Sequence, residues 1–296
     1  MVGRTARAVP FVEVRVGRRL RIALLLSVVL SAGLAAVPAS GFAASGTPGL
    51  PNLVPVTRWP SFDPGDDTQL RFNTFIQNRG EWSFEVLGLP DEAQVRLIAR
   101  QCVAWADPRV IGAARGCAEY RPIGELVWHR EHNHLHLDGL ATYRLYRDAD
   151  GAPGALVHDS PKVGFCLTDS YRNERYTSPV HVHPLVDPLL DDRYDLHRSQ
   201  AEQWYLECRW LYGSGVPWPG MRMGISAEWQ DLYNAPVPGQ QFDMAGQPDG
   251  SYWIQTLVNA SSVVTVLETD TSDNAHWLPV CVYHDGAARK AREGLC

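Results

Sequence analysis

Trp128-His129-Arg130-Glu131-His132-Asn133-His134-Leu135-His136-Leu137-Asp138-Gly139-Leu140-Ala141-Thr142-Tyr143-Arg144-Leu145-Tyr146 holds four of the chain's ten histidines. His132, His134 and His136 alternate at a spacing of two. In an extended strand, side chains at i, i+2 and i+4 share one face, and Leu135 and Leu137 then point the other way, toward a core. In a helix the same three would not share a face. The stretch therefore reads as a strand that presents imidazoles. Residues four apart on a straight strand lie about 13 Å from each other, so three ligands on one metal require a bent or bulged strand. Neutral imidazole suits copper, zinc, iron and nickel. A trio without cysteine or carboxylate leaves a coordination position for water or substrate. The competing reading is a solvent-facing strand that is merely histidine-rich, and the strict alternation argues against it.

Around this stretch, the 296-residue chain divides into a leader and a single domain. Arg15, Arg18, Arg19 and Arg21 precede an apolar run over 22–37, and small residues follow. Residues 1–44 are expected to be a secretory signal peptide, cut after Gly41 or Ala43, with 45–296 as the exported domain. A membrane anchor is the alternative, but the run is short for a span and interrupted by small residues, so no permanent anchor is expected. The Arg18-Arg19 pair leaves a twin-arginine route open. Arg4, Arg7, Arg15, Arg18, Arg19 and Arg21 against Glu13 sum to +5, so removing the leader takes the formal charge of −6 to −11. An acidic surface argues against nucleic acid as a partner and is compatible with cationic substrates. Cys102, Cys117, Cys166, Cys208, Cys281 and Cys296 all follow the leader. An even count in an exported chain reads as three disulfides. Nearest-neighbour pairing, 102–117, 166–208 and 281–296, is the simplest of fifteen arrangements, and none of the spacings is a C-x-x-C.

Along the chain, Asn52-Leu53-Val54-Pro55 starts a strand, and residues 70–78 alternate apolar and polar before a turn at Asn78-Arg79-Gly80. Residues 91–106 carry apolar side chains at mixed helical spacing and are expected to form a helix. The histidine strand runs on to a turn at 148–151. Strands are expected at 163–167, 251–258, 262–267 and 277–283, and 170–222 reads as a long loop. Many short strands, few short helices and abundant turns indicate a mainly-β sandwich or barrel with long loops, as one domain.

The histidine stretch resembles the copper-binding signature of the lysyl oxidase family, Trp-His-x-x-His-x-His-x-His followed by an aromatic strand. Further elements match in the family's order. Asn52 to Pro55 looks like its opening segment, and residues 70–80 like its strand before an Asn-x-Gly turn. Lys162-Val163-Gly164-Phe165-Cys166-Leu167-Thr168-Asp169 looks like its Lys-x-x-Phe-Cys-Leu-x-Asp element. Gly224-Ile225-Ser226 to Asp231-Leu232-Tyr233 looks like its Gly-Ile/Leu-Ser…Asp-x-Tyr element. Gly250-Ser251-Tyr252 and Glu268-Thr269-Asp270-Thr271-Ser272-Asp273-Asn274 are similar to its later strand start and acidic turn. The resemblance covers roughly 50–285 and implies a single β-sandwich-like lysyl oxidase catalytic domain.

It also implies a chemistry. In the family a tyrosine is oxidised at copper and attacked by a lysine, giving lysine tyrosylquinone (LTQ). The matching residues are Lys162 and Tyr233. Such a quinone condenses with a primary amine and makes its α-proton acidic. Hydrolysis then releases an aldehyde, and copper with O2 regenerates the cofactor, giving hydrogen peroxide and ammonia. His132, His134 and His136 carry over as copper ligands, and His129 as a neighbour of the metal rather than a ligand. No general base carries over: Asp138 is near in sequence, but 136–143 is one residue shorter than the family's segment. Glu268, Asp270, Asp273 and Asn274, with Asn52 and the Leu53 carbonyl, are implied to bind calcium, whose preference for oxygen ligands the turn suits; a solvated acidic turn is the alternative. Glu131, Trp229 and Phe242 stand where cysteine is common in the family. The longer segment 173–204 brings His181 and His183 at a spacing of two, which read as loop histidines, with lining of the entrance or a second metal as the alternatives. The expected function is a secreted copper-dependent amine oxidase acting on primary amines or peptidyl lysine. A His-ligated metal oxygenase or hydrolase, or an exported copper-binding protein without activity, are the alternatives.

Overall fold

A computed structural model describes residues 47–93, 96–105, 117–129, 134–173, 205, 208–211 and 220–296. These form two antiparallel sheets, and no α-helical element occurs among the described residues. The larger sheet has the order β10-β11-β4-β5-β6-β7-β14-β15-β16, with β1 against β5 and β8 against β7. Its strands are β1 (Thr47–Pro48), β4 (Phe84–Pro90), β5 (Leu97–Trp105), β6 (Cys117–His129), β7 (His134–Ala149), β8 (Ala152–Phe165), β10 (Arg209–Leu211), β11 (Gly220–Ile225), β14 (Gly250–Val258), β15 (Ala275–Asp285) and β16 (Ala288–Glu293). The smaller sheet has the order β13-β3-β12-β9 with β2 against β3, formed by β2 (Leu53–Asp63), β3 (Asp66–Asn78), β9 (Tyr171–Arg172), β12 (Trp229–Tyr233) and β13 (Gln241–Asp243).

Alternation builds the common core. On β14, Tyr252, Ile254, Thr256 and Val258 are buried and the residues between them are not, as expected of a strand with one face on the core. Side chains from both sheets meet there: the Phe72 and Tyr143 rings lie edge-on at 4.9 Å, and Phe72 stacks on Phe242 at 5.2 Å. The turn expected at 148–151 is a two-residue hairpin loop between paired Ala149 and Ala152. Asp150 and Gly151 both take positive φ, 54° and 85°, the geometry that makes Asp-Gly a hairpin signal.

Two expected elements are corrected. In the segment expected as a helix over 91–106, the described residues form a turn and strand β5, which pairs with β4 and β6. Gln101, Cys102, Val103, Ala104 and Trp105 are buried in succession, so both faces of this interior strand are covered. A strand buried on both faces loses its period of two and cannot be told from a helix by pattern. The strand expected at 262–267 is irregular. Thr265 N donates to the Ile123 carbonyl (2.9 Å), and the next two residues are satisfied by side chains: Val266 N donates to Asn259 Oδ1 (2.7 Å), Leu267 N to Gln101 Oε1 (2.8 Å), and Gln101 Nε2 to the Leu267 carbonyl (2.7 Å). The nearest-neighbour disulfides are the ones present: Cys102–Cys117, Cys166–Cys208 and Cys281–Cys296. The long loop expected over 170–222 lies mostly outside the described residues.

Candidate metal and cofactor site

The strand reading of the histidine stretch holds for its described part. β6 and β7 pair with Val127 opposite His136 and His129 opposite His134. Period two turns His134 and His136 to the same face, and their Nε2 atoms stand 2.8 Å apart. The His129 ring stacks on that of His136 at 4.3 Å. His136 is 2% exposed. Metal–imidazole bonds of about 2.0–2.1 Å bring two ligand nitrogens to roughly 3 Å of each other, so this pair and its all-imidazole chemistry fit a copper ion. His132 lies outside the described residues, as do His181 and His183. Among the described residues, no group of three His, Cys, Asp or Glu side chains is arranged to hold a metal ion.

The ladder between β7 and β8 is irregular just past the histidines. Its register shifts between Leu137 and Ala141, where Gly139 has φ 81°, and again between Ala141 and Tyr143, where β8 carries one extra residue at Pro161-Lys162. Bulges of this kind bend a strand and re-aim its side chains. Gly164 of β8 lies against His136: a Cβ there would stand 2.8 Å from His136 Cβ and 3.1 Å from its Nδ1. The next residue, Phe165, carries the Tyr233 ring edge-on at 4.3 Å. The Cys166 amide donates to Tyr233 Oη at 2.5 Å. Tyr233, from the smaller sheet, thus touches the end of the strand whose backbone includes Lys162, and that strand also touches His136. Burial pushes the Tyr233 phenol well above its ordinary pKa; the nearby Asp231 adds to this, and the Cys166 amide opposes it.

Residues 165–170 lock the two sheets together. Asp169 accepts from Ser226 N (2.7 Å), Ser226 Oγ (2.6 Å) and Tyr205 N (3.1 Å). Thr168 Oγ1 and Ser170 Oγ donate to Asp231 Oδ1, both at 3.2 Å. Asp231 is 2% exposed, and burial holds its carboxyl up at about 8 against the pull of these two hydroxyls. The sequence reading gave Asp231 no role. Its signal was the spacing of two from Tyr233, which places both on one face of β12. A second buried carboxyl, Glu85, takes hydrogen bonds from Tyr120 and from Tyr205 Oη (2.8 Å), and burial raises its pKa. Asp138 is half-buried on β7.

The acidic turn folds back onto the start of β2. Asn52 Nδ2 donates to Asp273 Oδ2 (3.1 Å), and Leu53 N to Glu268 Oε2 (2.6 Å). Asn274 and Asn259 donate to Glu268 Oε1 at 2.9 and 2.8 Å. Asn52 Oδ1, Asp273 Oδ1 and Asn274 Oδ1 are buried atoms that meet no donor among the described residues. Buried oxygens are ordinarily satisfied, and a hard cation would satisfy these three, so the residues fit calcium. One implied ligand faces away from these oxygens. Asp270 is exposed, and its carboxylate accepts from Ser272 N and Oγ at 2.8 and 2.7 Å. Leu53 meets the cluster through its amide. Asn259 joins the group without having been anticipated. No protein-family model matches the chain, and no curated protein matches it.

Proposed function

We propose that this protein is an exported, copper-dependent amine oxidase of the lysyl oxidase type. It would convert primary amines, peptidyl lysine among them, to aldehydes with release of ammonia and hydrogen peroxide, through a quinone derived from Lys162 and Tyr233. The observation that carries the reading is the meeting of three sequence-distant segments: the His134–His136 nitrogens, the Gly164–Phe165 end of β8 with Cys166 after it, and Tyr233.

When bound, copper supplies one-electron chemistry with O2, and the quinone supplies a carbonyl that takes up the amine. The chain's own residues have the following parts. His134 and His136, with His132, would hold the copper. Phe165 fixes the plane of the Tyr233 ring, and the Cys166 amide fixes its oxygen. The Cys166–Cys208 disulfide ties down the residue that provides this amide. Lys162 and Lys290 are the chain's only lysines, and Lys290 is ion-paired with Asp285. A chain almost free of side-chain amines offers an amine oxidase little of itself to oxidise. Three disulfides fit an oxidising, extracellular setting, and no helix among the described residues is long and apolar enough to cross a membrane.

The test is a visible spectrum of the copper-loaded, aerated protein before and after phenylhydrazine, beside Lys162→Met and Tyr233→Phe. A hydrazone band in the native protein and in neither variant is the expected result. A colourless reaction in fully copper-loaded native protein would remove the quinone, and with it this function.

A further inference from the structure

The reaction needs a group to accept the substrate's α-proton, and the resemblance supplies none. β12 turns Trp229, Asp231 and Tyr233 to the core, where Trp229 and Tyr233 join the main apolar cluster, while Leu232 packs on the other side. Neighbours on one face of a strand are roughly 7 Å apart, so Asp231 is the nearest carboxyl to Tyr233 on its own strand. One oxygen, Oδ1, is engaged by Thr168 and Ser170. The other, Oδ2, is buried and meets no hydrogen-bond partner among the described residues. The titratable groups that face Asp231 are Tyr233 on β12, Tyr143 from β7 and Asp169 from the segment after β8. No described cation is among the groups that act on its ionisation.

We propose that Asp231 is the general base of this site, its Oδ2 accepting the α-proton of the amine held at Tyr233. The inference rests on the amine oxidase reading. In the step, the substrate's α C–H bond breaks and the proton goes to Oδ2. The electron pair passes to the cofactor, which O2 later reoxidises. A base works best when its pKa lies near the working pH, and burial brings the Asp231 carboxyl to about 8. A carboxylate in water, near 4, would be a weak acceptor. Thr168 and Ser170 leave Oδ2 unused while orienting the group through Oδ1.

The experiment compares native protein, Asp231→Asn and Thr168→Val, all copper-loaded, in three measurements. Phenylhydrazine first reports whether the quinone is present. Anaerobic single-turnover reduction by a primary amine and by its α-deuterated form then reports proton abstraction across a pH series. Infrared difference spectra of metal-free protein between neutral and alkaline pH report the carboxyl itself. The expected result is a hydrazone in the native protein and in Asp231→Asn, with reduction in Asp231→Asn slowed by about 10²–10⁴-fold. Glu85 and Glu268 also have raised carboxyl pKa values, so the protonated-carboxyl signal that disappears on alkalinisation should lose one carboxyl's share in Asp231→Asn, and an undiminished signal overturns the inference. In Thr168→Val, which loses a hydroxyl that lowers the pKa, the pH limb of reduction should move upward. A hydrazone with undiminished reduction in Asp231→Asn overturns the inference and leaves the function standing. So does an unmoved limb in Thr168→Val, which decides the matter if Asp231→Asn does not fold. No hydrazone in the native protein overturns the function, and the inference with it.

Discussion

His276 should make the fold acid-sensitive well above the carboxylate range. It lies on β15 opposite Thr256, and its Nδ1 accepts the backbone N–H of Thr57 on β2 at 3.2 Å, bridging the two sheets. Only a neutral ring can accept that bond. Burial, and secondarily the charge of Arg58, pull its pKa from 6.5 to about 4, while Glu293 opposes them. The sign follows from proton counting. Below pH 6.5 the unfolded chain binds a proton that the folded one refuses, so stability is complete above 6.5 and falls as the pH approaches 4. The difference between 6.5 and about 4 amounts to about 3 kcal/mol, a large share of a typical domain's stability. It corresponds to a drop of roughly 6–12 °C in unfolding midpoint for a domain of this size. Burial also holds Glu85, Asp231 and Glu268 above their ordinary pKa values. Those groups lose stability as pH rises, so the wild-type curve mixes two opposite slopes. The assay is therefore the difference between wild type and His276→Gln, in thermal unfolding from about pH 7 to about pH 4.5. Glutamine can accept the Thr57 bond but cannot be protonated. Wild type should lose stability relative to the variant across this range. A constant difference would refute the reasoning.

Other expectations concern the two candidate sites. Gly164→Ala places a Cβ 2.8 Å from His136 Cβ, which should displace the imidazole and weaken copper binding by about 10–100-fold, a loss of the size seen when ligand orientation is disturbed. Copper stoichiometry and affinity measure this, and circular dichroism should show an intact fold; full copper binding would show that the ring has room to move. Calcium should raise the unfolding midpoint by binding the buried oxygens of Asn52, Asp273 and Asn274, contributing about 2.7 kcal/mol at a hundredfold excess over Kd. Asp273→Asn, which removes a carboxylate charge, should reduce this response. Equal midpoints with calcium and with a chelator would leave the turn a hydrogen-bonded acidic loop.

The sequence by itself determined the mainly-β class and the histidine face, because each depends on local order along the chain; for the six cysteines it offered fifteen arrangements, and the fold decided which pairs form. Strands covered on one face keep a period of two, as β14 does, and His134 and His136 share a direction for the same reason. Where burial is two-sided, as on β5, the period vanishes and the helical pattern misled. Where side-chain amides replaced a ladder, as Asn259 and Gln101 do for 266–267, a sheet-like sequence gave no sheet. Motif likeness pointed to Lys162 and Tyr233 as a pair, but only packing brings the Lys162 strand and Tyr233 together, through Phe165 and the Cys166 amide. The contact between Asn52 and Asp273 spans 221 residues, and no local pattern encodes such a closure. Asp231 is the sharpest case. In sequence it is one carboxylate among many; burial between the sheets is what raises its pKa and frees one oxygen, and burial belongs to the tertiary structure alone.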